Sequence, residues 1–138
     1  MHQIRHLLSI DTEPTQVYAA ITEREGLQSW WTVDVEAQPV AGTTSTFRFR
    51  SGAMNRMEIR ALDSPQRVEW RCVDGADEWI GTGVIFNLED RDGRTILRFS
   101  HLGWQEISDY FASCSYQWGL YLKSLKDYCE TGKGAPDS

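Results

Sequence analysis

One histidine, His101, has the sequence surroundings that acid–base chemistry requires. It follows Leu97 and Phe99 at a spacing of two, so the three side chains share one face of a strand. An imidazole with an unperturbed pKa of about 6.5 suits proton transfer or hydrogen bonding to a ligand. Together with Tyr121 or Tyr116 it could form an acid–base pair. The alternative is a structural histidine bonded to the backbone where the strand meets the next helix.

Other catalytic and metal-binding patterns are absent from the sequence. There is no GxSxG or phosphate-loop motif and no HxH or HExxH spacing, so we expect neither a metal nor a cofactor. Cys72, Cys114 and Cys129 form no CxxC pair, which predicts free, buried thiols in a reducing cytoplasm. A thiol in a pocket is the alternative, and Cys114 is then the candidate.

Aromatic residues are the unusual part of the composition, with six Trp, five Tyr and five Phe in 138 residues. Each ring buries roughly 150–250 Å², so together they could build a core and line a pocket as well. Pockets for small molecules are mostly apolar with a few fixed polar groups. Plain core packing is the competing interpretation. The predicted ligand contacts are Trp30, Trp31, Phe49, Trp70, Phe86, Phe99, His101, Phe111, Cys114, Trp118 and Tyr121.

The elements that position these residues follow from periodicity. Residues 3–10 predict a strand, 14–22 a helix that starts at Pro14, and 27–31 a second helical turn after a break at Gly26. From residue 32 to 102 apolar and polar residues alternate, which is typical of an antiparallel sheet with one buried face. Residues 106–131 form one long amphipathic pattern that ends at Gly132, followed by a frayed end.

This order predicts an α+β fold, with six or seven antiparallel strands covered by a long C-terminal helix. Such a helix cannot by itself cover a curved sheet, so the two enclose either a thick aromatic core or a cavity. Trp30 and Trp31 then form a lid over that interior or close the end of the core. Trp79 and an exposed Trp104 are candidates for a homodimer interface.

Length and charge exclude several classes of protein. A chain of 138 residues corresponds to a single domain, 1–138. The net charge of −6 argues against a nucleic-acid partner, which requires a basic surface. No apolar run is long enough for membrane insertion, and the N-terminus has no signal-peptide pattern, so we expect a cytoplasmic protein.

Three segments resemble START-like (SRPBCC) domains of the type related to the heat-shock ATPase activator. These are IDTEPTQVYAAITEREGLQSWWT, DRDGRTILRFSHLGW and YQWGLYLKSLKDYCETGKGAP, which together span about residues 4–136. The resemblance implies the helix-grip fold, a seven-stranded antiparallel sheet wrapped around the C-terminal helix with an elongated apolar cavity between them. Its members bind lipids, sterols or polyketides, act as aromatases or cyclases, or serve as co-chaperone domains.

Three functions are therefore carried forward. The first is binding of a small hydrophobic or aromatic molecule, such as a lipid or a polyketide-like compound. The second is a protein-interaction module with a chaperone partner, which is less favoured because the activator's additional N-terminal domain has no counterpart in this sequence. The third is a cyclase- or dehydratase-type enzyme that uses His101.

Overall fold

Ten elements follow the chain order that the periodicity predicts. The computed structural model describes residues 1–138. The elements are β1 (His2–Ile10), α1 (Pro14–Thr22), α2 (Arg24–Trp30), β2 (Asp34–Glu36), β3 (Thr44–Arg48), β4 (Met54–Asp63), β5 (Arg67–Asp74), β6 (Gly83–Arg91), β7 (Arg94–Trp104) and α3 (Asp109–Thr131). None of the three helices combines the length and the apolar character needed to span a membrane.

All seven strands form one antiparallel sheet in the order β1-β7-β6-β5-β4-β3-β2. The last strand returns beside the first, with Ile4 opposite His101, so β1 and β2 are the two edges. The predicted alternation is confirmed on β7, where Leu97, Phe99 and His101 are fully buried. The sheet is curved and α3 packs against its concave face, which confirms the predicted α+β fold.

The first two helices differ from prediction in their details. Pro14 opens α1 as expected, but no side chain caps that helix. The Thr12 hydroxyl instead donates to the Cys129 carbonyl, 2.9 Å away near the end of α3. Gly26 does not mark the break between the two helices, because it lies inside α2. A Cβ added to it would stand 2.5 Å from the Ala20 Cα. The close crossing of α1 and α2 therefore requires glycine at this position.

Both ends of α3 are defined by local chemistry. Ser108 is the N-cap, and its side-chain oxygen accepts from the Phe111 N–H at 3.1 Å. The helix thus starts at Asp109 rather than at residue 106. Gly132 closes it in the left-handed conformation with φ of 85°, as predicted.

The segment after α3 is not the frayed end that its composition suggests. The Ala135 N–H donates to the Ser124 hydroxyl at 2.7 Å. Farther on, the Asp137 N–H donates to the Trp31 carbonyl at 2.9 Å, and the Val33 N–H donates to the Asp137 carbonyl at 3.0 Å. Residues 133–138 therefore run as a strap between α3 and the chain that enters β2.

The interior is filled with aromatic rings at contact distance. Trp31 stacks on Trp30 at 5.9 Å and on Trp70 at 5.8 Å, measured between ring centroids. Trp30 is fully buried and donates its indole N–H to the Ala20 carbonyl, so this pair belongs to the core rather than to a lid. Trp79 and Trp104 are only 8% and 1% exposed, which contradicts their placement at a dimer surface.

Candidate functional site

A cleft of about 720 Å³ opens where the β3–β4 and β5–β6 loops approach the first turns of α3. Its volume falls within the usual range for small-molecule pockets, about 300–1,000 Å³. Ten of its eighteen lining residues are hydrophobic. They are Trp31, Phe49, Ser51, Gly52, Ala53, Met54, Asn55, Asp74, Gly75, Ala76, Trp79, Tyr110, Ser113, Cys114, Gln117, Trp118, Tyr121 and Asp137.

The cleft lies above a packed core rather than running through the domain. Below it, the Phe86 ring contacts Trp70 at 5.1 Å and Phe99 at 5.3 Å, both edge to face. Phe99 in turn lies 4.5 Å from Trp118. Side chains therefore fill the elongated interior that the resemblance implies, and the aromatic cleft opens at one end of the sheet.

Five of the predicted ligand contacts line this cleft: Trp31, Phe49, Cys114, Trp118 and Tyr121. The other six, which the structure places outside it, are Trp30, Trp70, Phe86, Phe99, His101 and Phe111. The first four lie in the filled interior and Phe111 packs edge to face on Trp104 at 5.1 Å, so core contacts occupy the rings that the sequence assigned to a ligand.

His101 lies behind the cleft wall in a chain of hydrogen bonds. The Trp118 indole N–H donates to its Nδ1 at 3.0 Å. Because an indole nitrogen can only donate, Nδ1 is the acceptor and the neutral ring carries its proton on Nε2. Nε2 then donates to the Thr82 hydroxyl at 2.8 Å, and that hydroxyl donates to the Trp79 carbonyl at 2.5 Å.

This arrangement gives His101 a positioning role. Both ring nitrogens are engaged, and the Trp79 ring packs edge-on against the imidazole at 4.6 Å. Burial lowers the pKa of His101 to about 3, so the ring is neutral near pH 7. The acid–base pair with Tyr116 is not assembled, since Tyr116 is 67% exposed. His101 instead orients Trp118 and Trp79, two residues of the cleft wall.

Cys114 lies on the cleft with its thiol in a mostly apolar setting. It is 7% exposed, and its Sγ accepts from the Trp79 indole N–H at 3.4 Å. Burial raises the pKa of Cys114, and it also raises the pKa of the neighbouring Tyr110 above its ordinary value. The thiol is therefore protonated and weakly nucleophilic at neutral pH. All three cysteines are free, as the sequence predicts.

Asn55 is a cleft residue that the sequence analysis missed. It lies on the concave face of β4 in a row with Met57 and Ile59, and it is 7% exposed. Its side-chain oxygen, Oδ1, is buried and has no hydrogen-bond partner. The sequence did contain a signal for it, since Asn55 is the polar member of the alternating row Asn55–Met57–Ile59, whose other members are apolar.

The charges at the cleft are acidic. No Lys, Arg or His side chain lines it, whereas Asp74 and Asp137 do. Asp74 pairs with Arg56 at 3.7 Å, and the Asp137 carboxylate accepts from the Arg50 backbone N–H at 2.6 Å. Burial, followed by the charge of Asp137, raises the pKa of Tyr121. The mouth of the cleft thus favours neutral or positively charged groups.

A second cleft, of about 790 Å³, lies at the opposite ends of the strands. It has a single hydrophobic lining residue, and its carboxylates come from Glu13, Asp63, Glu89 and Asp90. Arg98, which also lines it, bonds to Glu89 at 2.7 Å. No three His, Cys, Asp or Glu side chains in the chain are grouped to hold a metal ion. The aromatic cleft is therefore the stronger candidate site.

Comparison with solved structures supports the fold. The chain is 36% identical to the Aha1 of Colwellia psychrerythraea, solved in solution as a dimer, with a TM-score of 0.90 over 97% of this chain and 100% of that one. CalU16 from Micromonospora echinospora is 16% identical, with a TM-score of 0.75 over 96% of this chain and 76% of that one. DynU16, a putative protein of the dynemicin biosynthetic locus, is 19% identical, with a TM-score of 0.84 over 96% of this chain and 48% of that one.

No curated protein sequence matches the chain. A family model does match it, over residues 11–130, and its description is Activator of Hsp90 ATPase homolog 1-like protein. That match covers most of the chain and agrees with the resemblance carried by the strand, turn and helix segments. The chain therefore belongs to the family of Activator of Hsp90 ATPase homolog 1-like proteins.

Proposed function

We propose that this protein binds a small apolar or aromatic molecule in the cleft beside α3. The observation that carries the proposal is an open space of about 720 Å³ walled largely by aromatic and apolar side chains. Phe49 and Tyr121, whose rings lie 6.4 Å apart, are only partly buried and leave apolar surface for a ligand. Removing such surface from water stabilises a complex by roughly 25 cal/mol per Å² before the costs of association.

The wall is preorganised for such a ligand. Trp118 is fixed by its hydrogen bond to His101, and the Trp79 indole is fixed by its hydrogen bond to Cys114. The Trp79 carbonyl is held in addition by Thr82. A wall that is already ordered loses little conformational entropy when a ligand enters, which favours affinity.

Binding is tested with N-phenyl-1-naphthylamine, a neutral apolar dye that brightens in an apolar site. We expect saturable binding to the wild-type protein and a rise in melting temperature, because a ligand selective for the native state stabilises it. Ser113→Phe places a ring in the cleft and should weaken binding at least tenfold. Ala112→Phe is the matched control, since residue 112 is exposed on the same helix but does not line the cleft. Equal binding by both variants would refute the site.

Self-association is a second proposal, supported by the dimer formed by the Colwellia relative at 36% identity. Tyr116 and Leu120, which are 67% and 50% exposed, lie one turn apart on the outer face of α3 and form an apolar pair there. Sedimentation velocity over a concentration series should show a dimer, and Leu120→Lys should weaken it. A monomer at every concentration would reject self-association.

The cytoplasm is the compartment we propose. Three cysteines without a disulfide fit a reducing environment. Cell fractionation with an antibody against the native protein tests this assignment, and recovery in a secreted fraction would overturn it.

A further inference from the structure

We infer that Asn55 is the specificity-determining residue of the aromatic cleft and selects apolar ring compounds that carry an O–H or N–H donor. The inference rests on the proposed binding function and adds to it the chemical class of the ligand. Its basis is an unpaired, buried side-chain acceptor on a residue that lines the cleft beside the aromatic wall.

The position of Asn55 is fixed by its surroundings. Its strand neighbour is Phe47, which is fully buried, and both side chains belong to the concave face. The β5–β6 loop passes directly over it, because a Cβ added to Gly75 would stand 3.1 Å from the Asn55 Cβ. The backbone and the β-carbon of Asn55 are thereby held, and Asn55 is one of the residues that line the cleft.

The unpaired oxygen of Asn55 allows the cleft to distinguish ligands that carry a hydrogen-bond donor from those that do not. A buried acceptor without a partner costs free energy, whereas an apolar residue of the same shape does not. A ligand that supplies a donor removes that cost, and a ligand of equal size without one leaves it in place. The last torsion of an Asn side chain is soft, so a rotation of the carboxamide turns Oδ1 toward the ligand.

The acidic side chains at the cleft further restrict the class of ligand. No cationic side chain lines the cleft, and the Asp137 carboxylate lies at its mouth. A ligand carboxylate would be desolvated beside a carboxylate without a counter-charge. Acids such as fatty acids are therefore disfavoured, while neutral hydroxyl or amine compounds are accepted.

The test compares three probes of one ring size: 2-naphthol, 2-methoxynaphthalene and 2-naphthoate. Each displaces N-phenyl-1-naphthylamine from the wild-type protein, and Kd is obtained from the displacement curve. We expect 2-naphthol to bind at least tenfold more tightly than its methyl ether, which lacks the donor. The carboxylate should bind more weakly than 2-naphthol by a similar factor.

Variants assign the preference to Asn55. In Asn55→Leu the two neutral probes should bind within twofold of each other, with the methyl ether bound as in the wild type. Asn55→Asp keeps an acceptor and should retain the preference for 2-naphthol. Asn87→Leu, on the exposed face of β6, removes the same type of side chain away from the cleft and should leave the tenfold ratio unchanged.

The outcomes separate this inference from the proposed function. If the dye and all three probes fail to bind the wild-type protein, the proposed function is wrong and this inference falls with it. If the probes bind but 2-naphthol and its methyl ether have equal Kd values, the cleft binds ligands and the role of Asn55 is overturned. The same conclusion follows if Asn55→Leu, with a melting temperature at or above that of the wild type, keeps the tenfold ratio.

Discussion

The Trp118 indole N–H donates to His101 Nδ1 across 3.0 Å, and both residues are almost fully buried. The bond fixes the tautomer of the imidazole and the direction of the indole at once. It also explains why a histidine in the strand beside the cleft does not face the cleft. The relationship is structural, and it makes the stability of the fold dependent on pH.

Acid should destabilise the protein through His101. Its pKa is about 3 in the folded state and about 6.5 when unfolded, so between these values the unfolded state binds more protons. The contribution is complete above about pH 6.5 and is lost as the pH falls toward 3, amounting to roughly 5 kcal/mol. Denaturant unfolding across this range measures it.

A non-titrating variant isolates the histidine. In His101→Asn the side-chain oxygen can still accept from Trp118, but no proton is taken up. The variant should be less stable at pH 7 and should show a smaller loss between pH 6.5 and 3. An unchanged slope would assign the acid sensitivity to other groups.

Two glycines in helices should respond oppositely to alanine. Gly26→Ala should destabilise the protein by about 2–4 kcal/mol, because the new Cβ would meet the Ala20 backbone at 2.5–2.9 Å. Gly119→Ala has only the His6 ring nearby, at 3.6 Å, and should gain up to about 1 kcal/mol from helix propensity. Urea unfolding of both variants provides the comparison, and equal losses would show that the α1–α2 crossing is not the constraint.

The cap of α3 should contribute to stability while its link to the β5–β6 loop contributes little. Ser108→Ala removes the acceptor for the Phe111 N–H and should cost about 1 kcal/mol. The Ser108 hydroxyl also donates to Glu78 at 2.7 Å, but this bond is exposed. Glu78→Gln keeps an acceptor and should change the free energy of unfolding by less than about 0.5 kcal/mol.

Thiol modification should be slow until the protein unfolds. Burial raises the pKa of Cys72 to about 11 and that of Cys129 to about 12, and it raises the pKa of Cys114 as well. Little thiolate is therefore present at about pH 8, where a free cysteine is partly ionised. Ellman's reagent should label the native protein at least tenfold more slowly than the denatured protein. Rapid labelling of Cys114 alone would indicate an activated thiol in the cleft.

Periodicity predicts the fold well because burial alternates along each strand. The face shared by Leu97, Phe99 and His101 follows from that alternation, and the boundaries of α1 follow from Pro14 and the apolar spacing. The same rule fails at Trp79 and Ile80. The sequence pattern of β6 extends back to these residues, but in the structure they lie in a turn before the strand begins at Gly83. Extending the alternation backwards from Phe86 and Val84 would bury Ile80 and expose Trp79, whereas Ile80 is 49% exposed and Trp79 is 8% exposed.

The position of the cleft cannot be predicted from periodicity. Aromatic residues on one face of a strand give the same sequence pattern whether their rings border open space or pack against each other. Phe49 and Tyr121 border open space, whereas Phe86 and Phe99 occupy the same kind of position and are enclosed. Which rings remain free depends on distances between α3 and the loops. Asn55 illustrates the same limit, since its unpaired oxygen becomes evident only when the neighbouring atoms are placed.

The stacked indoles give the protein optical properties of its own. The Trp31 ring is stacked between Trp30, at an interplanar angle of 11°, and Trp70, at 12°. Trp79 and Trp118 form a second stacked pair at 18°. Transition dipoles this close couple, so the folded chain should show exciton bands in circular dichroism and depolarised emission through energy migration. Trp31, Trp79 and Trp118 border the cleft, so a ligand bound there would change both coupled sets of indoles, and the change in their spectra would measure its binding.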